Sequence, residues 1–387
     1  MRRLFLKLVV GLSIIAFVGC TKKEKNEIPI GVTGPFSGGS APIGLSFRNG
    51  VQMAIDEINA AGGILGKKVV AVVRDDEAKN EKGTQIAQEF LDKEGVVAII
   101  GPSNTGVADA STKYANQKKV PQFISVSSGA KVNEHFAEFP ENYIFRFAVS
   151  DEIQSLIIAK EAINTRKFKK PAIICDDTNF GQAGRERLEK HLEKMAVKPV
   201  YIGKFKLKDT DMTAQLQQAK AGGADVILTY GIGAELAAMS NTMEKIGWKV
   251  PMVSAWTMSM GSYLSNAKQN GEGNSMPMSF IEAGDHPERV KKFLNDYHTK
   301  FNENPIASAL AAVQSYDSVY LLKQAIEQAQ STEGPKIRAA LENLEKPFEG
   351  LSGKFVKPYS ATDHEAMRED HIQIGVVKGG MVIPRTN

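Results

Sequence analysis

From residue 28 onward, short apolar stretches alternate with longer amphipathic ones. Apolar runs such as KKVVAVVRDD and VVAIIG predict β-strands, and each is followed by a segment whose apolar residues recur at helical spacing. In SFRNGVQMAIDEINAAGG, Phe47, Val51 and Ile58 fall on one face, and Gly62-Gly63 ends the predicted helix. Strands that alternate with helices of about 10–15 residues imply a parallel sheet with helices on both faces.

A second series of strands and helices follows from PAIICDD onward. It predicts helices near 181–196, 211–221 and 233–246, then two long helices near 286–302 and 307–329, and a final hairpin that turns at Gly379-Gly380. The two series of strands and helices therefore predict two α/β units. In such sheets, ligands bind outside the carboxyl ends of the strands. We expect the loops there to line one cleft: 34–43, 102–106, 127–130, 177–180, 230–233 and 255–258.

The first residues are expected to lie outside this fold. A basic start is followed by an apolar run, Leu8 to Gly19, which is short for a membrane span and stops at Cys20. This arrangement resembles a bacterial lipoprotein signal, which implies a signal peptide over 1–20, lipidation of Cys20 and a tether over 21–27. An uncleaved signal anchor is the alternative. Both place the globular part outside the inner membrane.

The same segment accounts for the basic net charge. The chain has 48 Lys and Arg against 44 Asp and Glu, and residues 1–27 hold six of the basic and two of the acidic residues, which leaves 42 of each. No basic stripe with interleaved aromatic residues supports nucleic-acid binding. Of the two cysteines, Cys175 lies in the apolar run PAIICDD, so we expect a buried free thiol and no disulfide.

Motifs for catalysis are missing from the sequence. The stretch AIIGPSNTGVADA lacks the Lys-Ser/Thr pair of a phosphate-binding loop, and its second glycine comes one place too late for a nucleophile elbow. The six histidines are scattered, and the acidic cluster Asp75-Asp76-Glu77 is an ordinary loop end as well as a candidate cation ligand. We therefore predict no catalytic residue, no metal and no cofactor. What remains is a cleft of hydroxyls, aromatic rings and backbone amides, which binds without transforming.

Several segments carry family-specific spacing. Gly34-Pro35-Phe36-Ser37-Gly38, Asn49 to Ala54 and Asn59 to Gly66 resemble the bacterial Leu/Ile/Val-binding protein family, the extracytoplasmic solute receptors of ABC transporters. The resemblance continues to the C-terminus. It implies an α/β fold of two lobes, the type I periplasmic-binding-protein fold, in which each lobe is a mostly parallel sheet with helices on both faces. Three crossovers are then expected near 148, 277 and 355.

The resemblance also implies discontinuous lobes and a set of ligand-binding positions. The N-terminal lobe would comprise 28–148 plus 278–355, and the C-terminal lobe 149–277 plus 356–387. Thr105 matches the residue that grips the ligand carboxylate, and Ser127 matches the first position of the next ligand-binding loop. The other implied positions are Gly129, where the family often has Thr; Phe180, usually Tyr; Tyr230, which matches; and Ile43, where an aromatic residue is frequent.

One position departs from the family in an informative way. Amino-acid binders place an acid near Trp256 to pair with the ligand's ammonium group, and the sequence here is Ala255-Trp256-Thr257. Trp256 can compensate in part through a cation–π contact, worth about 2 kcal/mol when desolvated. Otherwise the ligand has no ammonium group, or the acid comes from elsewhere, for example Asp151 or Asp177, and Trp256 is core packing.

The resemblance thus implies the substrate-binding component of an ABC transporter. It would bind a branched-chain amino acid or a related small carboxylate or amide, deliver it to a permease in the inner membrane, and work as a lipid-anchored monomer at the periplasmic or cell surface. Three alternatives stay open: a ligand-sensing receptor of the same fold, a binder of aromatic or branched carboxylates that lack an ammonium group, and an enzyme.

Overall fold

The computed structural model describes residues 26–129 and 131–385. The predicted signal peptide and Cys20 lie outside the described residues, as does most of the predicted tether. Within the described part, no helix combines the length and the apolar character that crossing a bilayer requires.

The first half of the chain builds a parallel sheet of five strands. These are β1 (Glu27–Gly34), β2 (Lys68–Asp75), β3 (Ala98–Ile100), β4 (Gln122–Ile124) and β5 (Ile144–Arg146). They lie in the order β2-β1-β3-β4-β5, and all pair in parallel. The connecting helices are α1 (Ala41–Ala60), α2 (Asn80–Glu89), α3 (Thr105–Lys118) and α4 (Lys131–Glu138). β3, β4 and β5 are fully buried, as strands covered on both faces should be.

The second sheet has seven strands. They are β6 (Pro171–Asp176), β7 (Tyr201–Phe205), β8 (Val226–Thr229), β9 (Met252–Ser254), β10 (Ser275–Met278), β13 (Gln373–Lys378) and β14 (Met381–Pro384). The order is β14-β13-β10-β9-β8-β6-β7, with β13 and β14 antiparallel to their neighbours. Helices α5 (Asp151–Ala159), α6 (Asn179–Lys194), α7 (Thr213–Ala221), α8 (Gly233–Lys245) and α9 (Gly261–Ala267) accompany it. The final hairpin turns at Gly379-Gly380, both at positive φ, as predicted.

After β10 the chain returns to the first sheet. It forms α10 (Glu288–Phe301), α11 (Ala309–Ala329), α12 (Gly334–Glu342) and a small hairpin of β11 (Phe348–Glu349) and β12 (Lys354–Phe355). α11 packs tightly on α1, and the close approach requires a glycine: a Cβ at Gly50 would lie 2.1 Å from the carbonyl oxygen of Ala312. Ser315 Oγ donates to the carbonyl of Phe47 at 2.8 Å across the same contact. The fold is therefore α/β with two mostly parallel sheets, as the sequence indicated, and the chain crosses between them more than once.

Candidate functional site

A cavity of about 250 Å³ lies where the carboxyl ends of strands from both sheets face each other. Each of the six loops predicted from the sequence contributes to its lining, and Ala78, Asn80 and Leu207 add to it from two further loops. The described residues that line it include no Asp, Glu, Lys, Arg or His side chain. The cavity is therefore a neutral pocket of hydroxyls, amides and apolar groups.

One end of the cavity is built for a negative group. Thr105 begins helix α3, and its first backbone N–H groups have no partner within the helix. Ser127 Oγ donates to Thr105 Oγ1 at 3.3 Å, and the neighbouring Ser103 hydroxyl is buried without a partner among the described residues. Because a helix start carries a positive partial charge, this cluster suits a carboxylate.

The loop after β4 closes this end. Ser127 and Ser128 line the cavity, and no other described residue accepts a hydrogen bond from their backbone N–H groups or from that of Gly129. Gly129 lies against Thr105, since a Cβ added to the glycine would be 2.2 Å from Thr105 Cγ2. Glycine thus permits the loop to approach the start of α3 closely.

Another part of the lining is apolar. Phe180 projects from the first turn of α6, and Ile43 from the first turn of α1. Trp256 is 6% exposed and begins a short 3₁₀ turn, Trp256–Ser259; its backbone N–H donates to Gln154 Oε1 at 3.3 Å. These side chains can bury the apolar body of a small ligand.

Two buried acids lie close to the cavity. Asp151 is fully buried, its backbone N–H donates to the carbonyl of Ser128 at 2.8 Å, and neither carboxylate oxygen has a hydrogen-bond partner among the described residues. Burial raises the pKa of Asp151 to about 6, against the opposing effects of the Ser128 side chain and of the Arg146 and Arg187 guanidinium groups. Its side chain does not line the cavity.

Asp176 has a different role. Its Oδ1 accepts hydrogen bonds from Thr178 Oγ1 at 2.6 Å, the Thr178 N–H at 3.0 Å and the Gly181 N–H at 3.2 Å. Burial raises its pKa to about 6 as well. The carboxylate therefore fixes the start of α6, which carries Phe180 into the cavity. Across the cleft, Asn179 Nδ2 donates to Asp109 Oδ2 at 3.5 Å, which joins α6 to α3.

The geometry describes a cleft between two α/β sheets, lined by a group of hydroxyls and amides and by several apolar side chains. The sequence model of the periplasmic binding protein family matches residues 27–380. The chain belongs to this family. Membership implies a solute-binding protein outside the cytoplasm.

Curated relatives and solved structures agree with this assignment. The chain is 26% identical to Leu/Ile/Val-binding protein homolog 3 of Brucella melitensis, over 92% of this chain and 94% of that one. It is also 26% identical to an amino acid binding protein of Pseudomonas aeruginosa, but that match covers 64% of this chain and 65% of the relative.

Two solved structures share the fold. LivJ from Streptococcus pneumoniae, in complex with isoleucine, has a TM-score of 0.79 at 23% identity and covers 93% of this chain and 100% of its own. A Rhodopseudomonas palustris ABC-transporter solute-binding protein in complex with 4-hydroxybenzoate also has a TM-score of 0.79 at 23% identity, over 93% and 95%.

Some of the predicted site residues of this family member line the cavity and others do not. Ile43, Thr105, Ser127, Phe180 and Trp256 line the cavity. Tyr230 and Gly129 do not. Tyr230 is fully buried behind Phe180, with ring centroids 5.2 Å apart, and its hydroxyl has no partner among the described residues. Asp177, an alternative acid, is exposed at the start of the α6 loop.

Asn80 also lines the cavity, and so do Ser128 and Thr178, which lie in predicted loops but were not among the predicted ligand-binding positions. Thr178 could have been found as a helix N-cap, because its side chain accepts from the Gly181 N–H at 3.4 Å. Within 26–129 and 131–385, no three His, Cys, Asp or Glu side chains come together as a metal site would require. Cys175 is buried and free, and burial raises the pKa of its thiol.

Proposed function

We propose that this periplasmic binding protein is the substrate-binding component of an ABC transporter, and that its ligand is a branched-chain amino acid or a related small carboxylate or amide. The observation that carries the proposal is the cavity between the two sheets, with the start of α3 at one end and Phe180 and Trp256 on the wall. The relatives named for Leu, Ile and Val binding support the ligand class.

The carboxylate would accept hydrogen bonds from Thr105, Ser127 and the free N–H groups beside them. Hydrogen bonds to a charged group contribute about 1.5–3 kcal/mol each. Burial of a leucine-sized side chain against the apolar wall adds about 1.5–3 kcal/mol. The polar contacts set the orientation of the ligand, and apolar burial supplies much of the affinity.

Closure would bring together the two predicted lobes, residues 28–148 with 278–355 and residues 149–277 with 356–387, except that the segment around Glu365 packs on β5 of the first lobe. The Asn179–Asp109 contact spans the cleft and fits such a closed arrangement. Delivery to an inner-membrane permease, a lipid anchor at Cys20 and action as a monomer belong to the same proposal. No cofactor enters it, and the ligand leaves chemically unchanged.

A second candidate is a carboxylate without an ammonium group. It is favoured by the cavity lining, which offers no charged side chain among the described residues to pair with an ammonium. An unpaired buried ammonium costs several kcal/mol. Asp151 is the acid nearest to the loop, but its carboxylate lies behind Ser128 and does not line the cavity. The complex of the R. palustris protein with 4-hydroxybenzoate, an acid without an ammonium group, supports this candidate.

A thermal-shift panel tests the proposal. The protein is unfolded and refolded to remove bound ligand, then melted with leucine, isoleucine, valine, their 2-keto acids, 4-hydroxybenzoate and short amides. We expect at least one carboxylate to raise the melting temperature, because a ligand that binds only the folded state stabilises it. If no member raises the melting temperature, the proposed ligand class is wrong.

The variant Asp151→Asn separates the two ligand classes. If leucine binds the wild type and the variant loses leucine but keeps the 2-keto acid, Asp151 pairs with the ammonium group. If only acids without an ammonium group bind the wild type, the second candidate is correct. Asp177→Asn is the matched control, because Asp177 is exposed.

A further inference from the structure

Arg146 is a buried arginine that contacts the ligand-binding loop without lining the cavity. It ends β5 and is 1% exposed. Its Nη1 donates to the carbonyl oxygen of Ser128 at 2.9 Å and also to that of Gly129. One guanidinium group therefore joins two successive carbonyls of the loop that carries Ser127.

The other edge of the guanidinium is held by Glu365. Nε donates to Glu365 Oε2 at 2.7 Å, and Nη2 donates to Oε1, which makes a two-pronged pair. The backbones are joined as well, because the Arg146 N–H donates to the carbonyl of His364 at 2.8 Å and the Ala366 N–H donates to the carbonyl of Arg146 at 2.9 Å. The orientation of Arg146 is therefore fixed by the C-terminal segment around Glu365.

Fixing the Ser128 carbonyl also fixes the N–H group of Gly129. In a planar trans peptide, the carbonyl of one residue and the N–H of the next point in opposite directions. The Ser128 carbonyl points to Arg146, so the Gly129 N–H points away from it. That N–H donates to no other described residue, and Gly129 lies against Thr105, which lines the cavity.

We propose that Arg146 is a positioning residue for the ligand carboxylate. It holds the carbonyls of Ser128 and Gly129 on its own side of the loop and thereby aims the Gly129 N–H toward Thr105 and the anion. Glu365 keeps the guanidinium in place but does not contact the loop itself. This inference rests on the proposed function, since it concerns the same carboxylate site.

Two variants distinguish positioning from simple stabilisation. Arg146→Lys keeps the positive charge, but one ammonium group cannot reach both carbonyls and both Glu365 oxygens. Glu365→Gln removes the ion pair, while an amide oxygen still accepts from the guanidinium, so Arg146 stays on the loop carbonyls. Both variants are expected to melt at a lower temperature than the wild type.

Calorimetry with the wild type and both variants is the first measurement. The probes are leucine, 4-methyl-2-oxopentanoate and 4-hydroxybenzoate, each paired with its carboxamide. We expect Arg146→Lys to lower the affinity for the acid at least tenfold and to reduce the preference for the acid over its amide. Glu365→Gln should stay within threefold of the wild type. Equal weakening by both variants, or no weakening by Arg146→Lys, would overturn the proposal.

Crystal structures of the two ligand-free variants give a readout that needs no ligand. The Ser128–Gly129 peptide should rotate in Arg146→Lys, where the Asp151 N–H alone still donates to the Ser128 carbonyl, and keep its orientation in Glu365→Gln. An unchanged peptide in Arg146→Lys contradicts the positioning role. If none of the acids binds the wild type, the proposed function fails for those ligands, and the peptide orientation still decides the role of Arg146.

Discussion

Asp151→Asn should make the ligand-free protein more stable at neutral and alkaline pH. The carboxylate is fully buried, and neither of its oxygens has a hydrogen-bond partner among the described residues. Burial raises its pKa from 3.8 to about 6. A raised pKa in the folded state means that the folded protein holds the proton more tightly than the unfolded chain.

The magnitude follows from this shift. A shift of about two pKa units at about 1.4 kcal/mol each corresponds to about 3 kcal/mol. Stability from the neutral carboxyl is fully present below the unfolded pKa of 3.8 and is lost as the pH rises through about 6. Asparagine is neutral throughout, so the variant should exceed the wild type by about 3 kcal/mol near pH 8, and the gain should vanish near pH 4.

Urea unfolding of stripped protein at about pH 8, 6 and 4 measures this difference. Asp177→Asn serves as the control, since Asp177 is exposed and its substitution should give no comparable pH-dependent gain. A variant that is less stable than the wild type near pH 8, or a gain in stability that does not change with pH, would contradict this prediction. Either result would mean that the Asp151 carboxylate is stabilised by a partner in the folded state.

Further predictions concern the cavity. Thr105→Ala should weaken a bound carboxylate about 10- to 100-fold by calorimetry, since the lost bond is to a charged group; Thr112→Val, further along α3 and off the lining, should stay near the wild type. Gly129→Ala places a methyl group 2.2 Å from Thr105 Cγ2, so affinity should fall at least about tenfold, and unaltered binding would contradict this. Tyr230→Phe removes a hydroxyl that has no partner among the described residues, so urea unfolding should show unchanged or slightly higher stability; a loss above about 2 kcal/mol would contradict it. Trp256→Leu should weaken 4-hydroxybenzoate more than leucine in the same calorimetric assay, because the ring loses an aromatic neighbour.

Much of the fold could be predicted from hydrophobic spacing. The helix predicted near 233–246 is α8 (Gly233–Lys245), and the two long helices near 286–302 and 307–329 are α10 (Glu288–Phe301) and α11 (Ala309–Ala329). In long amphipathic segments, apolar residues recur often enough for the helical period to be recognised. The three-residue strand β5 (Ile144–Arg146) was not predicted, because the charged Arg146 interrupts the apolar residues of YIFRFAV.

The location of the candidate site could be predicted from the sequence, but which side chains reach the cavity surface could be predicted only in part. The rule for parallel sheets located the loops, since all six contribute to the cavity. Whether a side chain reaches the surface depends on helix packing. α6 lies directly on Tyr230, where a Cβ at Gly184 would be 2.3 Å from the tyrosine ring. That contact buries the ring, and no local sequence pattern predicts it.

Contacts between residues far apart in the chain cannot be predicted from local sequence patterns. Arg146 and Glu365 are separated by 219 positions in the chain, and each looks like an ordinary charged residue in its own segment. Their pairing follows only when the C-terminal segment returns to the edge of β5. The same holds for Asp151, whose burial under the loop of Ser128 comes from the packing of two elements rather than from its own sequence context.

A crystal structure of the wild type with the strongest binder from the thermal-shift panel tests the central claim most directly. We expect the ligand between the two sheets, with its carboxylate within hydrogen-bond distance of Thr105 Oγ1 and Ser127 Oγ and its apolar body against Phe180 and Trp256. A ligand bound elsewhere, or one whose carboxylate points to the aromatic wall, would contradict it.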